Sequence, residues 1–191
     1  IMMLLFIPWD IIFTISGVWG FNENYLTELY VLNLPIEEWL FFLCIPYACV
    51  FTHYTLSKSF PNLKLSKRLT DIVNYLILGF LIFSIVIHYD KWYTLVNFLY
   101  LAILLIVVHK THHQLLSKFF ITFLIILIPF FIVNGILTGS FIESPIVWYN
   151  NDENMGIRIG TIPFEDILYA FGMLLTVLFT MKLTDTSQSK K

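Results

Sequence analysis

The sequence predicts an all-α membrane protein, a polytopic helical bundle with about six transmembrane segments. Composition gives the first reason, since 58% of the 191 residues are hydrophobic, only 13% are charged and the mean hydropathy is +0.80. A soluble domain of this size cannot bury so much apolar surface, whereas lipid can cover the outside of a membrane bundle. The second reason is that the apolar residues form separate runs, most of them close to the roughly 20 residues that a spanning helix needs.

These runs can be placed in order along the chain. The third and fourth are separated only by Asp90 and Lys91, which predicts a tight helical hairpin. The first run is short and the chain begins with Ile1 rather than Met, so we expect the N-terminus to be truncated within this segment. The runs cover residues 1–16, 34–56, 72–89, 92–109, 119–137 and 162–181.

The distribution of basic residues predicts the orientation. Nine of the eleven Lys and Arg residues lie in the connections after the second and fourth runs and in the C-terminal tail. Because cytoplasmic loops are enriched in these residues, we expect a cytoplasmic C-terminus, with loops 17–33 and 138–161 outside. Residues 187–191 are expected to form a disordered tail. The formal net charge of −2 gives no reason to expect nucleic acid as a partner.

Two acidic pairs stand at the start of apolar runs. Glu37 and Glu38 follow Pro35, and Glu165 and Asp166 occupy the matching positions after the proline of the last run. Carboxylates at the edge of hydrocarbon are costly unless they face a bundle interior, which favours a functional site. The alternative is that they only complement the helix dipole as first-turn acids. One pair alone would fit either interpretation, and the second copy favours the functional one.

The sequence around the acidic pairs is itself repeated. Asp10 precedes the first pair as Asn134 precedes the second, and Trp19 in a Val-Trp loop matches Trp148 in another. The second acidic helix follows the first by four segments, and this even offset means that the two helices should be parallel and reach the same membrane face. The sequence therefore predicts a tandem pseudo-repeat whose two halves share one site at their interface.

Three motifs of the first copy resemble the lycopene cyclase domain family. They are Pro8-Trp9-Asp10, Val18-Trp19-Gly20-Phe21 and Leu34-Pro35-Ile36-Glu37-Glu38-Trp39-Leu40-Phe41-Phe42. This is the small integral-membrane type, found as two-subunit or fused bacterial and archaeal cyclases and as the cyclase part of fungal bifunctional proteins. The resemblance implies a leading helix that this chain lacks, in line with a truncated N-terminus.

The resemblance covers nearly the whole chain as two domain copies. It implies a first cyclase repeat at 1–70, truncated at its N-terminus, a linking transmembrane helix at 71–91, and a second repeat with a short cytoplasmic tail at 92–191. The second copy departs from the family pattern at Asn134 and at Phe164-Glu165-Asp166, so equal roles for the two halves are not expected.

The resemblance implies acid-catalysed cyclisation of the ψ end groups of a linear carotenoid such as lycopene, giving β-type rings. A proton adds to the terminal alkene, the neighbouring double bond attacks the cation, and a ring proton leaves. Because no net electrons move and the sequence has no Gly-x-Gly-x-x-Gly, we expect no redox cofactor, and because it offers no convincing set of metal ligands we expect no metal. The expected partners are the carotenoid and the bilayer, with a homo-oligomer or other carotenoid enzymes as further possibilities. The expected location is a bacterial cytoplasmic membrane.

Roles for the carboxyls follow from their spacing and from the resemblance. Two close carboxyls in a low dielectric cannot both ionise readily, which keeps one protonated. Glu37 and Glu165 are the predicted proton donors and should face the bundle interior at similar depth. Glu38 and Asp166 are predicted to share the proton or act as bases, and Asp10 to act as a base or orienting residue. Aromatic faces stabilise cations, so Trp9, Trp39, Trp148 and Tyr169 are predicted to bind the substrate. Asn134, the neutral counterpart of Asp10, is also a predicted substrate-binding residue.

Other functions stay open from the sequence. An intramembrane prenyltransferase acting on a polyprenyl diphosphate would need carboxylates one helical turn apart and basic residues, but the acids are adjacent and their side holds only Lys91 and Arg158. A transporter or pigment-binding scaffold would use the carboxylates to relay protons or only to support structure. His109, His112 and His113 are spaced like a metal cluster, but a predicted loop with no nearby acid favours a solvated turn.

Overall fold

The computed structural model describes residues 1–188, with side chains to residue 184. Within these residues five helices are long and apolar enough to cross a membrane, and α1 is a shorter apolar helix. The protein is therefore an all-α integral membrane bundle, as predicted. The helices are α1 (Met2–Ile15), α2 (Ile36–Ser59), α3 (Lys67–Ile87), α4 (Trp92–Thr111), α5 (His113–Leu137) and α6 (Phe164–Gln188).

The bounds of the helices differ from those of the apolar runs by a few residues, and α5 and α6 extend furthest beyond theirs. The predicted hairpin is confirmed, since α3 and α4 are separated by four residues around Asp90, but the loop predicted between α4 and α5 is wrong. Only His112 interrupts the two helices, because α5 begins at His113 with a polar first turn that carries the buried Leu116. Helix α6 likewise reaches Gln188, inside the predicted tail, and residues 189–191 of that tail lie outside the described residues.

Short antiparallel strand pairs organise the two long loops. Each acidic helix is preceded by a two-residue hairpin, and the hairpins match position by position. In the first, Tyr30 lies opposite Pro35, and in the second Arg158 lies opposite Pro163. The hairpins are therefore equivalent parts of a repeat. The strands are β1 (Trp19–Phe21), β2 (Tyr30–Val31), β3 (Leu34–Pro35), β4 (Val147–Tyr149), β5 (Arg158–Ile159) and β6 (Ile162–Pro163).

Strands β1 and β4 join the two loops to each other. Trp19 lies opposite Tyr149, and Gly20 lies opposite Trp148. When Trp19 is aligned with Trp148 and Gly20 with Tyr149, the pair Trp19–Tyr149 corresponds to the pair Trp148–Gly20. Exchanging the two copies therefore reproduces the same strand pairing. This register supports a local two-fold relation between the repeats. The boundaries at 1–70, 71–91 and 92–191 stay a prediction.

Helix α6 lies at the centre of the bundle. It contacts α1, α2, α4 and α5, and α4 packs tightly against both α3 and α6. The main buried cluster joins these helices through side chains such as Leu105, Phe119, Phe171 and Leu175. Many apolar side chains of α2 and α3 instead point outward, for example Phe83 with 64% of its surface exposed, as expected for helices that face lipid.

Candidate functional site

An elongated cavity of about 300 Å³ lies among α1, α2, α5 and α6. Its polar end is lined by Asp10, Glu38 and Asp166. From there it follows α2 from Glu38 to Thr52, a length of about 20 Å at 1.5 Å per residue. The remaining walls are almost entirely apolar and come mainly from α2, α5 and α6, including Phe41, Ile45, Ile126, Pro129, Phe130, Val133, Met173 and Leu174. The two acidic motifs therefore converge on one cavity, as predicted.

The second acid of each pair lines this cavity, and the first acid does not. Glu37 Oε1 accepts a hydrogen bond of 2.7 Å from the backbone N–H of Thr27. Glu165 Oε1 accepts an equivalent bond, also 2.7 Å, from the backbone N–H of Met155. In both copies the donor lies ten residues before the acid. Since adjacent helical residues point about 100° apart, the two acids of a pair cannot share one direction.

Glu37 and Glu165 were expected to face the bundle interior at similar depth, but they differ in burial. Glu165 is fully buried and also accepts a bond of 2.6 Å from the Thr94 hydroxyl, while Asn97 donates to its carbonyl. Glu37 is half-buried beside its loop. The physical reason is that α4 packs against α6 and supplies these polar side chains.

Asp166 is held by two tyrosine hydroxyls. Tyr93 donates to its Oδ1 at 2.6 Å, and Tyr149 donates to its Oδ2 at 2.9 Å. Desolvation in the cavity wall, together with the nearby Asp166 carboxyl, raises the pKa of Tyr149 well above its usual value, so this hydroxyl keeps its proton. The two hydroxyls therefore fix both oxygens of the Asp166 carboxyl in the cavity wall.

Asp10 and Glu38 have fewer partners. Asp10 Oδ1 accepts a bond of 2.6 Å from the Trp19 indole N–H and a longer one of 3.4 Å from Thr14. Its other oxygen, Oδ2, is buried and has no partner among the described residues. The Glu38 side chain makes no hydrogen bond in the described part of the chain, and its carboxyl interacts electrostatically with Asp10 and Asp166. The site therefore combines one tightly held carboxyl with two freer ones.

Only two of the five predicted substrate-binding residues line the cavity, Asn134 and Tyr169. Trp9 packs behind Tyr169, with the ring centroids 5.1 Å apart. Trp39 donates its indole N–H to the carbonyl of Val31 at 3.1 Å and so supports strand β2.

Trp148 lies outside the cavity, with 44% of its surface exposed. Its indole covers the Cα of Gly20, where any side chain would overlap it. Its neighbour Tyr149 faces the cavity instead, because successive residues of a strand point to opposite sides. The sequence motif thus identified the correct strand but the wrong face.

Three further cavity residues, Trp19, Tyr93 and Tyr149, were not predicted as site residues from the sequence. Trp19 stood in a recognised motif, and the alternation of β4 could have indicated Tyr149 beside Trp148. Tyr93 gave no comparable signal, since it begins a helix outside both acidic motifs and reaches Asp166 only through the packing of α4 on α6.

A separate cluster lies at the opposite end of the bundle. Asp71 Oδ1 lies 2.8 Å from Nε2 of His109 and 2.8 Å from Nε2 of His113. The expectation of a solvated turn with no nearby acid is therefore wrong, because α3 brings Asp71 beside both histidines. These side chains have the chemistry of metal ligands, and they do not touch the cavity.

Comparison with known proteins identifies the family. A family model described as lycopene cyclase matches residues 1–56 and 90–184, which together make up most of the chain. The match includes all three carboxyls at the polar end of the cavity. No curated protein and no solved structure matches the chain. The chain therefore belongs to the lycopene cyclase family, which supports a general function as a membrane-embedded carotenoid cyclase.

Proposed function

We propose that this protein cyclises the ψ end groups of lycopene to β-type rings by acid catalysis. The observation that carries this proposal is the cavity itself, in which three carboxyls with different partners meet at one end of an elongated apolar slot. Family membership supports the substrate class, and the surroundings of the carboxyls support the division of roles proposed below.

The shape of the cavity suits a linear polyene. A slot of about 20 Å along α2, lined by aliphatic and aromatic side chains, can hold an extended hydrocarbon chain with its end group at the acids. Among the described residues no Lys or Arg lines the cavity. A polyprenyl diphosphate would leave its charged group without a cationic partner, which disfavours the prenyltransferase alternative.

Glu38 is the proposed proton donor. It lines the cavity, lacks hydrogen bonds that would favour its ionised form, and lies near two other carboxyls. Since like charges cannot accumulate cheaply in a low dielectric, one carboxyl of such a group stays protonated near neutral pH. Its proton adds to the terminal double bond of the end group and leaves a tertiary carbocation.

Asp166 is the proposed counter-ion for this cation. Its two tyrosine partners fix both oxygens, so the negative charge is already in place before the reaction begins. The π-faces of Trp19, Phe41 and Tyr169 line the same space and add cation–π stabilisation. The neighbouring double bond attacks the cation, closes the ring and moves the positive charge to a ring carbon.

Asp10 is the proposed base. Its free Oδ2 can accept the proton that leaves the ring carbon next to the cation, while Trp19 holds Oδ1. Loss of this proton restores a double bond, so substrate and product have the same composition and no electron carrier is consumed. Glu37 and Glu165, the proton donors predicted from the sequence, are instead proposed to position the loops that precede α2 and α6, through Thr27 and Met155.

The proposal is tested with the purified chain in liposomes that contain lycopene and no added nucleotide. We expect a product of unchanged mass that chromatographs as a carotenoid with one or two β-rings. Absence of any cyclised product while lycopene is bound would favour the pigment-binding scaffold. Product that appears only after a flavin or nicotinamide is added would contradict a purely acid-catalysed reaction.

The predicted orientation would place this chemistry near the outer leaflet. The basic residues, such as Lys58, Lys118 and Lys182, lie at the ends of helices opposite the acidic motifs. By the positive-inside rule that end faces the cytoplasm, and we propose the same for the C-terminus in a bacterial cytoplasmic membrane.

A further inference from the structure

We propose that Asp71, His109 and His113 form a binding site for one divalent transition-metal ion, such as Zn²⁺. The site lies at the basic end of the bundle and is independent of the proposed cyclisation. Both imidazole Nε2 atoms lie 2.8 Å from the same carboxylate oxygen, Asp71 Oδ1. All three ligand atoms lie within 4.8 Å of one another.

The ligand set matches the chemistry of this class of ion. Two imidazole nitrogens and one carboxylate oxygen form a common protein donor set for zinc, with ligand distances of roughly 2.0–2.2 Å and a fourth position open to water. The converging atoms of Asp71, His109 and His113 need only small rotations to surround an ion at these distances. Hard cations such as Mg²⁺ prefer oxygen ligands and are disfavoured by two imidazoles.

The three ligands are held by three different helices. Asp71 belongs to the first turns of α3, His109 to the last turn of α4, and His113 to the start of α5. The His109 ring also packs against Tyr75, with centroids 5.5 Å apart, which restricts its orientation. A bound ion would therefore fasten three helix ends together at the break around His112.

Ions can reach this site from water. The side chains of His109, His113 and Asp71 are 17%, 26% and 31% exposed. The site is also remote from the acidic end of the cavity, since the rise along α4 from Tyr93 to His109 is more than about 20 Å. The ion would consequently support the fold of the cytoplasmic end and would not contact the carotenoid end group.

Metal binding is tested with the full chain, purified in detergent without a polyhistidine tag and stripped with a chelator. Titration calorimetry with Zn²⁺ should show one ion per chain. Co²⁺ should give the intense visible bands of a four-coordinate site, and this measurement on the unmodified chain needs no variant. Because an ion that binds only the folded state adds stability by mass action, Zn²⁺ should also raise the midpoint of thermal unfolding.

Ligand variants assign the site. Asp71→Asn and His113→Gln should each weaken Zn²⁺ binding by about tenfold or more, in line with the importance of individual groups at metal sites. His112→Gln is the matched control, because the His112 ring packs on Phe179 and its Nδ1 bonds to Thr111. Absence of stoichiometric binding to the unmodified chain would overturn the proposal and leave a hydrogen-bonded charge cluster. Equal losses in the control and ligand variants would also overturn it.

Discussion

The two acidic pairs occupy equivalent positions in the two repeats, yet their surroundings differ. In each pair the first acid binds a backbone N–H of the preceding loop and the second acid lines the cavity. Asp166 is fixed by Tyr93 and Tyr149, whereas the Glu38 carboxyl makes no hydrogen bond among the described residues. A duplicated motif thus supplies two carboxyls with unequal partners, which is the basis for proposing Asp166 as counter-ion and Glu38 as proton donor.

The difference originates in the helices that pack against each pair. Helix α4 lies along α6 and contributes Tyr93, Thr94 and Asn97 to the second pair. Beside α2, the polar contribution is instead the Asp10 carboxyl of α1, which also lines the cavity. Unequal neighbours therefore make the repeated acids unequal, as the departures at Asn134 and Asp166 in the second copy had indicated.

Exchanging the acids of the first pair for amides should give the largest effect. Glu38→Gln should lower the rate of cyclisation by about 10³-fold, because a glutamine cannot donate a proton and general acids contribute about 10²- to 10⁴-fold. Glu37→Gln is the matched control and should retain most activity, since its side-chain oxygen can still accept from Thr27. Pigment analysis in lycopene-accumulating cells, at equal membrane protein levels, measures both. The reverse order of activities would restore Glu37 as the donor predicted from the sequence.

Removing the fixed charge should give the next largest effect. Asp166→Asn should slow cyclisation by about 10²-fold, as expected for loss of preorganised electrostatic stabilisation. The measurement is the initial rate in liposomes together with lycopene binding, which should change little because the cavity keeps its shape. A strong loss of binding without a change in the maximal rate would show that Asp166 serves packing only.

The two faces of strand β4 can be compared directly. Tyr149→Phe removes one of the two donors to Asp166 and should slow cyclisation about fivefold, the equivalent of about 1 kcal/mol. Trp148→Phe, its neighbour outside the cavity, should leave the rate nearly unchanged. Equal effects of the two substitutions on the rate would mean that the strand acts only as a structural link.

The strand pairing between the repeats should affect stability more than chemistry. Gly20→Ala would place a methyl group against the Trp148 indole, and such overpacking costs about 1–3 kcal/mol. The thermal midpoint in detergent should fall. Gly79→Ala is the control, because a Cβ at Gly79 meets no atom within 4 Å and alanine favours the helix. An unchanged midpoint for Gly20→Ala would show that β1 and β4 separate readily.

Much of the fold follows from local sequence. Long apolar runs predict the spanning helices. Repeated motifs around Asp10, Glu38 and Asp166 predict that the carboxyls of the two halves meet. Both patterns can be read from the sequence because each consists of residues close together in the chain. Which acid of a pair faces the cavity depends on the rotation of α2 and α6 within the bundle. That rotation is set by packing, and helices that are apolar all round leave no pattern from which to read it.

Long-range polar contacts were the least predictable part of the site. Tyr93 reaches Asp166 through the packing of α4 on α6, and Asp71 reaches His109 across the α3–α4 hairpin, between residues that lie 73 and 38 positions apart in the chain. Trp148 and Tyr149 illustrate a smaller error, in which the strand was recognised but its alternation was not used. Helix α4 continues past the end of its apolar run and α5 begins before its own run, which is why the break at His112 was predicted as a loop.

Deuterium incorporation tests the proposed acid chemistry most directly. The purified chain, equilibrated in D₂O and present in excess over lycopene in liposomes, should give a product that carries one deuterium for each ring formed. The label arises because the exchangeable proton of Glu38 adds to a carbon of the end group, while a different, carbon-bound proton leaves. A cyclised product with no deuterium would contradict proton addition by an exchangeable carboxyl and with it the proposed role of the cavity acids.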